Sequence, residues 1–235
     1  MLNYRNENAT GHILTIEDPL EFLHAHKLSV VDQREVGIDT HSYEEALKNA
    51  LREAPDVIMI GEIRDRNTMK QAIAYAETGH LCLSTLHANN ANQAMERVIN
   101  FFPEEAHRQL LVDLSLNLAG VVSQRLIPGL HEKLVPAVEV MLNSSYISDL
   151  IAKGEFSGIK EAMARSTEIG MCTFDQALYQ LYTEDRISLD EALHNADSRT
   201  DLALRVRLAA GVSTQDAGDL SIDTSSPIQS AARLA

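Results

Sequence analysis

The chain has 235 residues, 45% of them hydrophobic, with 34 acidic against 20 basic side chains and a formal net charge of -14. That length holds one large domain or two small ones around a real core, and the acidic balance argues against a general nucleic-acid surface, so no nucleic-acid partner is expected. Cys82 and Cys172 form no CxxC pair, no apolar run approaches a membrane span, and Met1 to Gly11 is too polar for a signal peptide; a reducing, cytoplasmic compartment is the simpler reading.

In chain order, Ile13 to Ile16 reads as a short buried strand, ended by Pro19 within Glu17-Asp18-Pro19-Leu20-Glu21. Ser29 to Val36 is a candidate second strand. Ser42 is a plausible N-cap with Glu45 as capping-box partner, and the helix that follows puts Ala46, Leu47, Ala50 and Leu51 on one face before Pro55. Val57 to Ile60 is an apolar strand running into Gly61-Glu62-Ile63-Arg64. Thr68 to Ala76 is helical with Gly79 at its end, Leu81 to Leu86 is a strand that leads into His87, and Asn92 to Phe101 is helical.

This strand–helix alternation predicts an α/β fold with a mostly parallel sheet. Ligands of such sheets gather beyond the C-terminal strand ends, which collects Glu17 to Glu21, Gly61 to Arg64 and His87 at one edge. After Pro103, Leu110, Leu111, Leu114, Leu118, Val121 and Val122 recur at helical spacing, and Val135 to Met141 is a candidate strand. Tyr146 to Ala152, Ile159 to Ala164, Thr173 to Tyr182 and Leu189 to Ala196 read as short helices. The expected division is an α/β core over 1–103, a helical domain over 104–205 and a disordered tail over 206–235.

The strand ending in Glu62 carries the chemistry. Its four consecutive apolar residues imply burial on both faces, and a carboxylate at such an end faces a crevice. In nucleotide hydrolases this carboxylate meets metal and phosphates, opposite a G-x-x-x-x-G-K-[ST] loop. None of the 11 glycines here begins that loop. Glu17, Asp18 and Glu21 could polarise water or hold Mg²⁺, or could form a plain solvated turn. His80 and His87 could bond phosphate, or be a loop and a core histidine. Arg34, Arg52 and Arg64 suit bidentate phosphate binding, or surface ion pairs.

In combination, the order ILTIEDPLEF, VDQREVG, ALREAPDVIMIGEIRD and AETGHLCLSTLHANNA resembles the secretion ATPase superfamily. The resemblance is strongest to type IV pilus retraction (twitching motility) ATPases of the PilT/PilU type and runs from Met1 to about Ala203. LCLSTLHANNANQA, LSLNL and GMCTFDQALY point to the PilU branch, and Tyr146 to Ile151 departs from the AIRNLI segment associated with PilT.

The resemblance implies a RecA-like P-loop NTPase core, lacking its first strand and P-loop, followed by a C-terminal helical domain. It implies Glu21 as the carboxylate that activates water, with Glu17 and Asp18 in the same box. Gly61-Glu62 becomes the family's atypical Walker B, with Glu62 acting on Mg²⁺ directly or through water. His80 and His87 become the box that senses the γ-phosphate, and Arg34 and Arg52 reach nucleotide across a subunit interface. ATP and Mg²⁺ are the implied cofactors. The implied partners are a homo-hexamer or mixed ring and an inner-membrane pilus platform, with the protein peripheral at that membrane.

Because the phosphate cradle precedes the position matching Met1 in the family, the expectation is an N-terminally truncated product that is inactive alone. An alternative is a non-catalytic module assembling with full-length retraction ATPase subunits. An unrelated α/β metal hydrolase would make the four ordered motifs a coincidence.

Overall fold

The computed structural model describes residues 1–209. Helix α1 (Leu2–Asn8) precedes strands β1 (Gly11–Glu17) and β2 (Ser29–Glu35). Helix α2 (Tyr43–Ala50) and a 3-10 turn lead into β3 (Val57–Ile60), then α3 (Arg66–Glu77) and β4 (Leu81–Ser84). These strands form one parallel sheet in the order β2-β1-β3-β4. Ile16 stands beside Arg34 and Ile60, and Ile60 beside Ser84, so all four C-terminal ends open on the same edge.

The apolar run of β1 is buried on both faces, Ile13, Leu14 and Ile16 being no more than 1% exposed. On one face Leu14, Ile16, Ile58 and Ile60 pack against Ala46, Leu47 and Ala50 of α2 and Met69, Ala72 and Tyr75 of α3. Each fully buried Leu or Ile there contributes about 1.5–3 kcal/mol. On the other face Ile13, Val31 and Val57 meet Leu2 and Leu83.

Caps fix where the helices begin. The Ser42 side chain accepts from the Glu45 N–H at 3.2 Å, without the reciprocal Glu45 arm among the described residues. Asp65 accepts from the Thr68 N–H, and Asn90 from the Gln93 N–H at the start of α4 (Ala91–Asn100). Gly79 ends α3 with φ +89°, a left-handed turn that favours glycine. Two sequence expectations shift here: Leu51 lies in the 3-10 turn and is 45% exposed, and β4 stops at Ser84.

After α5 (Glu104–Asn117) the chain forms an antiparallel hairpin, β5 (Gly120–Pro128) with β6 (Leu134–Leu142). Val121 and Val122, expected on a helix, are therefore strand residues. Their helical spacing from Leu114 is accidental, because the helix closes at Leu118 and Gly120 must approach the Met141 carbonyl, which would stand 2.6 Å from a Cβ there. Helices α6 (Ser145–Lys153), α7 (Ile159–Arg165), α8 (Phe174–Thr183), α9 (Leu189–Asn195) and α10 (Arg199–Ala209) follow.

The hairpin's Ile127, Val135 and Ala137 pack on Phe174, Leu178, Ala192 and Leu202. The larger apolar cluster runs through residue 103 without a break, joining Ile58 and Met95 to Leu110, Leu114, Met141 and Ile147. Residues 206–209, read from the sequence as tail, belong to α10; the rest of that expectation lies outside the described residues. Among the described residues no helix is long and apolar enough to cross a membrane.

Candidate functional site at the strand ends

Strand β3 delivers Glu62 to the open edge of the sheet, where its side chain is 17% exposed. One oxygen pairs with the Arg64 guanidinium, and the other lies 2.9 Å from His87 Nε2. Arg64 also reaches Asp18 Oδ2 at 3.2 Å. The hydrogen bond from Arg64, with the charge of His87 adding to it, holds the Glu62 carboxyl below the usual carboxylate range. β1, β3 and the loop after β4 thus contribute Asp18, Glu62, Arg64 and His87 to one cluster.

Local backbone geometry explains the glycine before Glu62. The Gly61 N–H donates to the Ile16 carbonyl at 2.8 Å, which brings this segment hard against β1. A Cβ on Gly61 would lie 3.1 Å from Glu17 Cα and 3.1 Å from Tyr43 Oη. The Thr85 hydroxyl bonds the Gly61 carbonyl, and the Ile63 N–H donates to the Thr85 carbonyl at 2.9 Å. The backbone carrying Glu62 is thereby fixed from both flanking strands.

The acidic segment divides into two roles. Glu17 is 6% exposed and accepts from Thr15 Oγ1 at 2.8 Å and Gln33 Nε2 at 3.3 Å, so its carboxylate is turned inward. The loop beyond is tied to β2 by Leu20 N–H to Glu35 at 3.2 Å and His24 N–H to Gln33 at 2.7 Å. Glu21 is exposed, and its N–H points at Glu17 Oε2 at 3.5 Å.

His80 stands apart from this cluster. It precedes β4, at the opposite edge from His87, with Nδ1 2.9 Å from Thr78 Oγ1. Four residues of parallel strand between the two ends span about 13 Å. Arg34 pairs with Glu53 and lines a polar cleft of about 350 Å³ with Asp39, Thr40, His41 and Asn49. Arg52 is exposed in the 3-10 turn and makes no ion pair among the described residues.

Sequence reasoning passed over Tyr43. Its hydroxyl is buried with no hydrogen-bond partner among the described residues. Burial, then the nearby Asp18 charge, raises its pKa, while Arg64 opposes. An unpartnered phenol behind Asp18, Glu62 and Arg64 marks an unfilled donor at the site. Only the helix start at Ser42 signalled this position.

Among the described residues no three His, Cys, Asp or Glu side chains converge as a complete metal cage. Glu62 and Asp18 are the carboxylates of the cluster, the type of ligand that Mg²⁺ takes together with phosphate oxygens.

A parallel sheet with a carboxylate, an imidazole and a guanidinium gathered at its C-terminal edge defines an open α/β protein whose ligand crevice lies beyond the strand ends. The fold matches a solved structure of the pilus retraction motor PilT with bound ADP at a TM-score of 0.79 and 39% identity, over 87% of this chain and 58% of that one. The family described as Type II/IV secretion system protein matches residues 1–201. The chain belongs to that family, among its PilT/PilU-type secretion ATPases.

It is 59% identical to the type IV pilus ATPase PilU of Pseudomonas aeruginosa over 94% of this chain and 57% of the relative. To the PilT of the same organism it is 41% identical, over 83% of this chain and 57% of the relative. The chain therefore spans a little under three fifths of the length of these curated relatives.

Proposed function

We propose that these residues form the carboxylate side of an ATP-hydrolysing site in a motor that retracts type IV pili. The observation that carries this reading is the Glu62–His87 pair, 2.9 Å apart at the end of β3, in a chain 59% identical to a pilus ATPase. Mg²⁺, when bound with nucleotide, supplies neutralisation of the charge on the transferring phosphoryl group.

The chain's own residues do the rest. Glu62 faces the metal. Arg64 leaves Glu62 and Asp18 for phosphate oxygens, to which its fork is suited. His87 holds the second Glu62 oxygen and reports on the γ-phosphate. Glu21, exposed on a tethered loop, is free to take a proton from water. Glu17 acts from inside by fixing that loop. Arg34 and Arg52 serve a neighbouring subunit in a ring, a homo-hexamer or a mixed one. His80, at the far edge, acts on the inter-domain side rather than on the Glu62 cluster. The ring works from the cytoplasmic face against an inner-membrane pilus platform.

A chimera tests the motor reading. The matching segment of Pseudomonas aeruginosa PilU is replaced by residues 1–209, and pilus function is scored in cells lacking PilU. The expected result is restored function, lost on Glu62→Gln. A chimera as active with Gln as with Glu overturns the assignment.

A second reading rests on Arg52, which is exposed and makes no ion pair among the described residues. In it the chain joins a ring of full-length subunits and lends Arg34, Arg52 and the helical domain without binding nucleotide itself. Co-purification with a full-length retraction ATPase, without retention of labelled ATP by the isolated chain, separates this reading from the first.

A further inference from the structure

Away from the strand-end cluster, a polar network lies between the loop after β4 and helices α7 to α10. Arg125 on β5 is its hub. Its Nη1 donates to the Asn195 carbonyl at 2.8 Å, and its Nη2 to the Asn89 carbonyl at 3.4 Å. Nη2 also lies 2.8 Å from Asp197 Oδ1, and the guanidinium covers the Phe174 ring at 3.8 Å from its centroid.

Asp197 is held in turn. Its N–H donates to Asp175 at 2.7 Å, and Lys160 bridges Asp175 at 3.0 Å and Asp197 at 3.2 Å. On the neighbouring strand, Glu139 is 3% exposed and accepts the Ala91 N–H at 2.8 Å. That N–H is one of the donors a helix start leaves without an intrahelical partner.

The placement matters because of what the grip holds. Asn89 and Ala91 flank Asn90, the N-cap of α4, and lie two and four residues after His87. His87 is the imidazole on Glu62. The hairpin thus holds the His87 loop by two bonds, one from a guanidinium and one to a buried carboxylate. The same guanidinium is fixed by α8 and by the end of α9. One guanidinium thus joins those helices to the Asn89 carbonyl.

We propose that Arg125 and Glu139 are positioning residues for His87, setting where the imidazole stands against Glu62 and linking that contact to helices α7 to α10. This rests on the functional reading of Glu62 and His87 above. Arg125 touches neither residue and acts only through the loop. A fork and a flat stacking surface are both needed for this arrangement, and lysine supplies neither.

The test uses the 235-residue chain without nucleotide, so its outcome is independent of whether the chain hydrolyses ATP. Amide hydrogen exchange and the NMR resonances of the His87 ring are measured in Arg125→Lys, in Glu139→Gln as the isosteric second variant, and in Arg186→Ala as a control. Arg186 pairs with Glu132 beyond the far end of the hairpin. Arg125→Lys is expected to speed exchange over residues 87–93 about tenfold and to shift the His87 ring signals, leaving Ile13 to Ile16 protected. Glu139→Gln is expected to act in the same direction at Ala91. Glu62→Gln also shifts the His87 signals, and in the Arg125→Lys background that shift is expected to fall below about half. The proposal is overturned if Arg186→Ala moves His87 as much as Arg125→Lys, if neither Arg125→Lys nor Glu139→Gln moves it, or if the Glu62→Gln shift is equal in both backgrounds.

Discussion

The Tyr43 hydroxyl packs against Gly61, close enough that a Cβ there would lie 3.1 Å from it. Helix α2 and the segment after β3 meet at this point, and the contact crowds any side chain at Gly61. Glycine relieves that crowding, and Glu62, the next residue, carries the carboxylate of this segment to the edge.

Gly61→Ala is expected to cost about 1–3 kcal/mol, the range for overpacking a tight site. Two of its three close neighbours, Glu17 Cα and the Ile16 carbonyl, are backbone and cannot swing away. Urea denaturation measures the loss. A change smaller than experimental error would mean that β1 and β3 separate more easily than this geometry implies.

Tyr43→Phe divides two explanations of the unpartnered hydroxyl. In the isolated chain, removing a buried donor with no partner is expected to leave stability unchanged or raise it by about 1 kcal/mol. In the PilU chimera the same substitution is expected to weaken nucleotide-dependent function, because the hydroxyl then has a ligand-side partner. Unaltered function in that chimera would reduce Tyr43 to a packing residue.

Glu62 and Glu139 give stability profiles of opposite sign. The folded-state pKa of Glu62 is lowered, so its contribution is present above the unfolded value near 4.5 and is lost as pH falls through the folded value. Glu62→Gln should flatten the acid limb of a stability–pH curve. Equal acid slopes in the two proteins would show that the Arg64 and His87 contacts do not persist in solution.

Burial raises the Glu139 pKa, with the Ala91 N–H opposing. Its contribution is therefore full below the unfolded value near 4.5 and declines as pH rises through the folded value. Replacing Glu139 by Gln should remove that decline, so that the variant loses less stability than the parent between mildly acidic and neutral pH. A steeper loss in the variant would contradict the buried, raised state of this carboxyl.

Much of this protein is written locally. Continuous apolar runs at Ile13 to Ile16 and Val57 to Ile60 specify strands buried on both faces, and the caps at Ser42, Asp65 and Asn90 start helices where a side chain meets an orphan N–H. The motif order carried the family, and the position of Glu62 at the end of an apolar strand carried the candidate chemistry.

Other features depend on contacts between distant residues and have no local signature. Val121 and Val122 keep a helical period yet pair with Met141 and Val140, because the hairpin closes over Gly120. His80 and His87 look like a pair in the sequence, but the parallel sheet assigns them to opposite edges. Arg125 reaches partners 36, 70 and 72 residues away, and nothing near it in sequence marks it. The sequence by itself determined the four strands of the parallel sheet, most helix starts, the family and the acid at the end of β3. Tertiary structure decided which side chains meet that acid, because burial and charge at the sheet edge are set by strand order and register.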